Sequence, residues 1–240
     1  MTQKADHNDD EHTNLAWLDL ETTGLDESEC SILELGIVIT NRQLDVLAEC
    51  SWVTFPTRMI NMQNLEPFIW DMHQANGLWN ELFSKDSERV PLKTAVESAI
   101  EFMRQFGAIG SPMCGNTISF DRGFVKKLAP KLNEVFHYRN LDVSSIKNML
   151  KLFYPDHRPW KPPEYKAHRA IEDLHNSIEE MSHYLDMLPL GPEPLLYEPE
   201  PAKEVSNETR AVEYILSAKE SESASDYTMG AIELAREISP

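Results

Sequence analysis

Two carboxylates stand two residues apart, Asp19 and Glu21, at the end of an apolar run and directly before Thr22-Thr23-Gly24. On a strand, residues i and i+2 point to the same face. The pair would therefore be aimed together beside a glycine turn, which is costly unless a cation holds both anions. Alone, the step is weak and better explained as a solvated strand end. A third carboxylate, Asp121, closes the run Gly115-Asn116-Thr117-Ile118-Ser119-Phe120-Asp121. Alone, it reads as well as a cap for the helix that follows. The last group is His168-Arg169-Ala170-Ile171-Glu172-Asp173. On one continuous helix, positions i and i+5 sit about 140° apart. His168 and Asp173 converge only if His168 lies on the loop before the helix and Asp173 in its early turns. Pro159 to Lys166, with three prolines, supplies such a loop. Alone, His168 is equally a surface histidine.

Together the groups are far more specific. Asp-x-Glu, an Asp a hundred residues on, then His-x-x-x-x-Asp after about fifty more, is the pattern of the DEDDh exonucleases. The chain resembles their oligoribonuclease branch over roughly Asn14 to Leu188. Asp19 to Asp26 (DLETTGLD), His73 to Leu78 (HQANGL), Cys114 to Asp121 (CGNTISFD) and Phe136 to Ser145 (FHYRNLDVSS) carry the likeness. The His-Tyr-Arg run before Leu-Asp-Val is the most distinctive. There are departures. Thr22 stands where that family usually has Met, and Thr is more typical of proofreading exonucleases. Ser119-Phe120 replaces a Gly-Gln pair, Asn140 replaces an aromatic residue, and the chain continues past Leu188, near which the family usually stops. These bear on substrate choice more than on catalytic competence.

A phosphodiester is an anion attacked by an anion-like nucleophile, and two divalent cations answer both difficulties. Hard oxygen ligands suit Mg²⁺ or Mn²⁺. Asp19, Glu21, Asp121 and Asp173 are the expected ligands, with Glu21 also placed to hold the terminal 3′-OH. His168 is the expected general base, because an imidazole titrates near neutrality. The expected product is a 5′-nucleoside monophosphate. The resemblance also implies a pocket for a very short oligomer. Leu25 would wedge against the bases, Phe68 (with nearby Trp70) would stack on one, and His73 would contact the scissile end. Tyr138, from a second subunit, would close over a base. Arg139, with Thr117, Ser144 and Lys147, would cap the 5′ phosphate. Arginine suits that task because its fork makes two charge-assisted bonds to phosphate.

The elements that must position these groups are legible as patterns. Leu15 to Leu20, Ser31 to Thr40 and Val46 to Phe55 read as strands joined by short turns, an antiparallel meander. Leu92, Val96, Ile100, Met103 and Phe106 recur at helical spacing, ended by Gly107. Pro112 to Gly115 and Leu141 to Val143 read as short strands, Phe120 to Leu128 and Ile146 to Phe153 as helices. A last helix carries Ile171, Leu174, Ile178, Met181, Leu185 and Leu188 on one stripe. The order βββαβαβα predicts an α/β fold, a mixed sheet covered by helices, and the resemblance makes it RNase H-like. Residues 1–13 read as a flexible acidic N-terminus, 14–188 as the exonuclease domain and 189–240 as a proline-rich linker and acidic tail. Five prolines fall between Pro189 and Pro201, and Asp186 to Pro240 holds twelve acidic and four basic residues. Glu204 to Lys219 and Thr228 to Ile238 could form short helices.

The chain has 240 residues, 41% of them hydrophobic, and a net charge of −18. That charge argues against a grip on long nucleic acid through a basic surface and favours short substrates that need few phosphate contacts. No run of about 18 apolar residues exists, so no membrane span is expected. Met1 to Thr13 lacks the apolar core of a signal peptide. Cys30, Cys50 and Cys114 lack metal-type spacing and read as free thiols in a reducing cytoplasm. The resulting expectation is a cytoplasmic homodimeric 3′→5′ exoribonuclease acting on short single-stranded RNA. The runner-up is an exonuclease on single-stranded DNA. A non-catalytic nucleic-acid-binding module is disfavoured, because all five catalytic positions are present.

Overall fold

The computed structural model describes residues 14–57, 60, 65–154, 158–163 and 168–188. The first strand, β1 (Leu15–Thr22), divides its side chains between two covered faces. Ala16, Leu18 and Leu20 enter one apolar cluster, and Trp17 enters another on the opposite face. Asp19 and Glu21 fall in step with Trp17, because the side-chain period of a strand is two.

β2 (Ile32–Thr40) is buried along its whole length, as a central strand must be when both faces are covered. β3 (Val46–Val53) lies at the edge. β2 pairs antiparallel with both β1 and β3, which is the expected meander. β4 (Met113–Gly115) adds in parallel to the other side of β1, and β5 (Asn140–Asp142) adds in parallel beyond it. The order is β3-β2-β1-β4-β5, a mixed five-stranded sheet. The carboxyl ends of β1, β4 and β5 therefore gather on one edge, the usual place for ligands in open α/β sheets.

Helices cover both faces. α1 (Pro67–Ala75) and α2 (Leu78–Phe83) follow the meander, and Leu78, Trp79 and Leu82 form a satellite cluster with Leu33 of β2. α3 (Leu92–Gln105), α4 (Ser119–Leu128) and α5 (Pro130–Val135) pack on the Leu18 face. α6 (Val143–Phe153) and α7 (Ala170–Met187) pack on the Trp17 face. The expected order lacked α1, α2 and α5. All three are short, and two of them start on a proline, which presets the first helical φ.

Two helical faces differ in detail from the apolar stripes. α3 buries Ala95 and Ala99 with Leu92, Val96 and Met103. α7 buries Leu174, Ile178 and Met181 as expected, but completes its face with Ser177, Glu180 and Tyr184, while Leu185 is exposed. A close approach seats α7: a Cβ at Gly36 of β2 would lie 2.6 Å from Ala170 Cβ. No described helix is long and apolar enough to cross a membrane. The N-terminal residues 1–13, the tail from 189 onward and the two short helices expected in it lie outside the described residues.

Candidate active site

Asp19, Glu21 and Asp173 each bring a carboxylate oxygen to within 4.8 Å of the others. Strand alternation supplies the first two. The third comes from the first turn of α7, where an acid also complements the helix dipole. Asp121 stands in the first turn of α4, after an Ile118 N-cap that gives no side-chain bond, so it is not the cap that its position suggested. Its Oδ1 instead accepts the Leu20 N–H of β1 at 3.1 Å. The four acids thus come from β1, α4 and α7.

The electrostatics are those of crowded anions. Burial and the facing Asp121 push Asp19 well above the usual carboxylate range. Burial and Asp173 push Glu21 up to about 9. Burial pushes Asp121 up to about 7, against hydrogen bonds from its own N–H and that of Leu20. Such a cluster of hard oxygen donors is costly by itself and fits a divalent cation, which would relieve both the desolvation and the mutual repulsion.

His168 sits on the loop before α7, at φ 49°, followed by Arg169 as N-cap. Its Nδ1 lies 3.8 Å from Asp173 Oδ2, and its side chain is 39% exposed. The conditional geometry required of the His-x-x-x-x-Asp step is therefore met.

Around these groups lies a frame that sequence reasoning did not find. Glu34 of β2 stands directly opposite Glu21 in the ladder, a destabilising pairing of like charges. Arg169 answers it with Nε and Nη2 on Glu34, at 2.9 and 3.1 Å, and grips Glu81 of α2 with Nη1 and Nη2, at 2.8 and 3.1 Å. Glu34 also accepts the Ala170 N–H at 3.4 Å, so β2 caps α7. Asn76, after α1, donates to the His168 carbonyl and to His73 Nδ1. The one available signal was Glu34 itself, a lone acid inside the apolar run SILELGIVIT.

The residues that the resemblance assigned to substrate are placed as follows. Leu25, Phe68 and Tyr138 are exposed, at 79%, 69% and 71%. Trp70 stacks on Trp79 at 5.5 Å in the satellite cluster. His73 is fully buried. Its Nε2–H donates to Thr22 O at 3.0 Å and its Nδ1 lies 3.8 Å from Glu21. Burial holds its pKa below the ordinary value, and its bond to Thr22 O ties α1 to the end of β1. Asp142 Oδ1 accepts from Thr117 N–H and from the N–H and hydroxyl of Ser144, at 2.9, 3.0 and 2.7 Å, drawing these two together. Arg139 lies over the Tyr138 ring. Lys147 points inward to the buried Glu180, at 2.7 Å. Asn116 and Tyr184 donate to the same carboxylate. Thr22 turns its hydroxyl to Gly24 O at 2.7 Å, within its own turn.

An acidic pocket at the carboxyl edge of a mixed sheet, flanked by a histidine, is the site of a metal-dependent exonuclease. The RNase T exonuclease family model matches residues 16–181, and the chain belongs to that family. Within it, the chain is similar to oligoribonucleases. That of Dichelobacter nodosus is 35% identical over 184 residues, 76% of this chain and 99% of its own. That of Idiomarina loihiensis is 38% identical, covering 73% and 94%. Exonuclease I from Methylocaldum szegediense matches in structure with a TM-score of 0.54 at 15% identity, covering 74% of this chain. E. coli Exonuclease I in complex with a dA16 oligonucleotide gives 0.55 at 12%, again over 74% of this chain. This chain spans 41% and 42% of those two longer chains, and the likeness at such identities is one of fold.

Proposed function

We propose that this protein is a 3′→5′ exoribonuclease that hydrolyses short single-stranded oligoribonucleotides to 5′-nucleoside monophosphates. The convergence of Asp19, Glu21 and Asp173 within 4.8 Å, with His168 at the rim, carries the reading. Asp19, Glu21, Asp121 and Asp173 would hold two divalent cations, Mg²⁺ or Mn²⁺. Bound there, the ions supply an activated water and charge stabilisation for the leaving oxygen. His168 takes the proton of the attacking water, and its exposure leaves room for that water. Glu21 orients the terminal 3′-OH. Leu25 and Phe68, both exposed, offer apolar surface to the bases. Tyr138 and Arg139, with Thr117 and Ser144, receive the far end of the substrate. His73 acts by fixing the end of β1 beside the scissile phosphate.

Turnover of an RNA dinucleotide beside its DNA counterpart and longer oligomers tests the reading. Preference for the RNA dinucleotide supports it; equal or better use of DNA would replace it with the DNA exonuclease reading. We further infer that the enzyme is a homodimer. The adjacent exposed Leu152 and Phe153 at the end of α6 support this, as an apolar patch of the kind that protein interfaces cover. Light scattering of an active monomer would refute it. The three free thiols suit a cytoplasmic setting. Residues 14–188 form the catalytic unit in this reading, so a chain stopped near Leu190 should keep its dinucleotide rate.

A further inference from the structure

Arg122 follows Asp121 on α4 and is only 5% exposed. Its guanidinium has four neutral acceptors. Nε donates to Asn133 Oδ1 at 3.2 Å, Nη2 to His137 O at 2.6 Å, and Nη1 to Arg139 O at 3.1 Å and Asn140 Oδ1 at 2.5 Å. Among the described residues no carboxylate pairs with it, and a buried cation so placed is expensive. A neutral or apolar side chain would fill the space at lower cost. What it would lack is a planar fork able to hold several oxygens at fixed angles.

Three of the four acceptors lie in one short segment, His137 to Asn140. The same segment is pinned from its other side, where His137 N–H donates to Ser111 O at 2.9 Å. The His137 ring packs on Tyr138 at 4.3 Å, and its Nδ1 accepts the Arg139 N–H at 3.2 Å. The backbone is thereby fixed at residues 137 and 139 and the Asn140 side chain is held beside them, while the Tyr138 and Arg139 side chains are exposed, Arg139 over the Tyr138 ring at 5.0 Å. Asn140, a departure from the oligoribonuclease pattern, is part of the device.

We infer that Arg122 is a positioning residue for substrate length, holding the His137–Asn140 segment so that Tyr138 and Arg139 meet the 5′ end of a very short oligomer. This rests on the function proposed above. It adds that the grip on the 5′ end is set from α4, the helix that also carries Asp121. A substrate long enough to bind elsewhere depends on this segment less than a dinucleotide does.

The experiment measures kcat and KM for a 5′-phosphorylated RNA dinucleotide and for an RNA pentanucleotide. The proteins are the wild type, Arg122→Lys and Asn140→Ala. Lysine keeps the charge and removes the fork. Each lost bond to a charged group should raise KM, and with several lost the dinucleotide KM of Arg122→Lys should rise about tenfold or more. Its dinucleotide kcat should stay within about twofold, and its pentanucleotide KM should move much less. Asn140→Ala, at an exposed position, should show the same split more weakly, and it decides the matter if Arg122→Lys does not fold. Equal KM increases for both lengths, a fall in kcat at constant KM, or an unchanged Asn140→Ala beside a folded but unchanged Arg122→Lys would overturn the inference. If the wild type itself does not cleave the dinucleotide, the proposed function fails instead.

Discussion

Glu21 allows the cost of the crowded carboxylates to be measured. Its ordinary pKa is 4.5, and burial with Asp173 nearby raises it to about 9 in the metal-free fold. Below pH 4.5 the folded and unfolded chains both keep this proton, and Glu21 does not influence stability. Above it the unfolded chain ionises while the folded one does not, so stability falls as pH rises and levels off only near pH 9. At pH 7 the solution is about 2.5 pH units past the unfolded value, a loss of about 3 kcal/mol. Only 8% of the Glu21 side chain is exposed, so solvent screening reduces this little. Glu21→Gln removes the titrating group at nearly constant volume. In chelator at pH 7 its melting temperature should exceed the wild type's by roughly 6–12 °C. The gap should shrink toward pH 5, and Mg²⁺ should narrow it by stabilising the wild type more. The assay is thermal unfolding followed by circular dichroism from pH 5 to pH 8, with and without metal. A metal-free wild type whose melting temperature is flat over that range and equal to the variant's would refute the reasoning.

Asp121→Asn should abolish turnover at saturating Mg²⁺ while keeping the fold, since the amide oxygen can still accept the Leu20 N–H; steady-state rates and a melt check both halves. His168→Ala should lose about 10²–10⁴-fold in kcat with metal binding intact, because general base catalysis is worth that much; loss of metal affinity by calorimetry would make His168 a ligand. Gly36→Ala should lower stability by about 1–3 kcal/mol by overpacking against Ala170. It should cost turnover out of proportion, since a displacement of about 1 Å at the reacting groups can cost 10²-fold; a melt and a rate on one preparation test it.

The meander, α3, α4, α6 and α7 were legible because each repeats at one clear period. The convergence of Asp19, Glu21 and Asp173 was legible because their spacing matches a family pattern. α1 and α2 were not, since Ile69 and His73, then Leu78, Trp79 and Leu82, form stripes too short to stand out, and polar residues crowd between them. The signals that did exist were Pro67 at a helix start and Gly77, whose φ of 79° suits glycine, before the second. The parallel pairing of β1 with β4 joins Ala16 to Met113, and periodicity carries no information across such a distance. Glu34, Arg169 and Glu180 were missed for one reason. A charge on an apolar face reads as a local exception until its partner is seen, and the partners lie on other elements.

The last described helix is also the last part of the site to be synthesised. His168 lies on the loop just before α7 and Asp173 in its first turn, and Asp173 follows Asp121 by 52 residues. At the usual pace of synthesis, roughly 5–20 residues per second, that interval is roughly 3–10 s. Until then a growing chain carries Asp19, Glu21 and Asp121 but lacks His168 and Asp173. On the proposed function, the site is complete only once α7 has been made and packs onto the sheet.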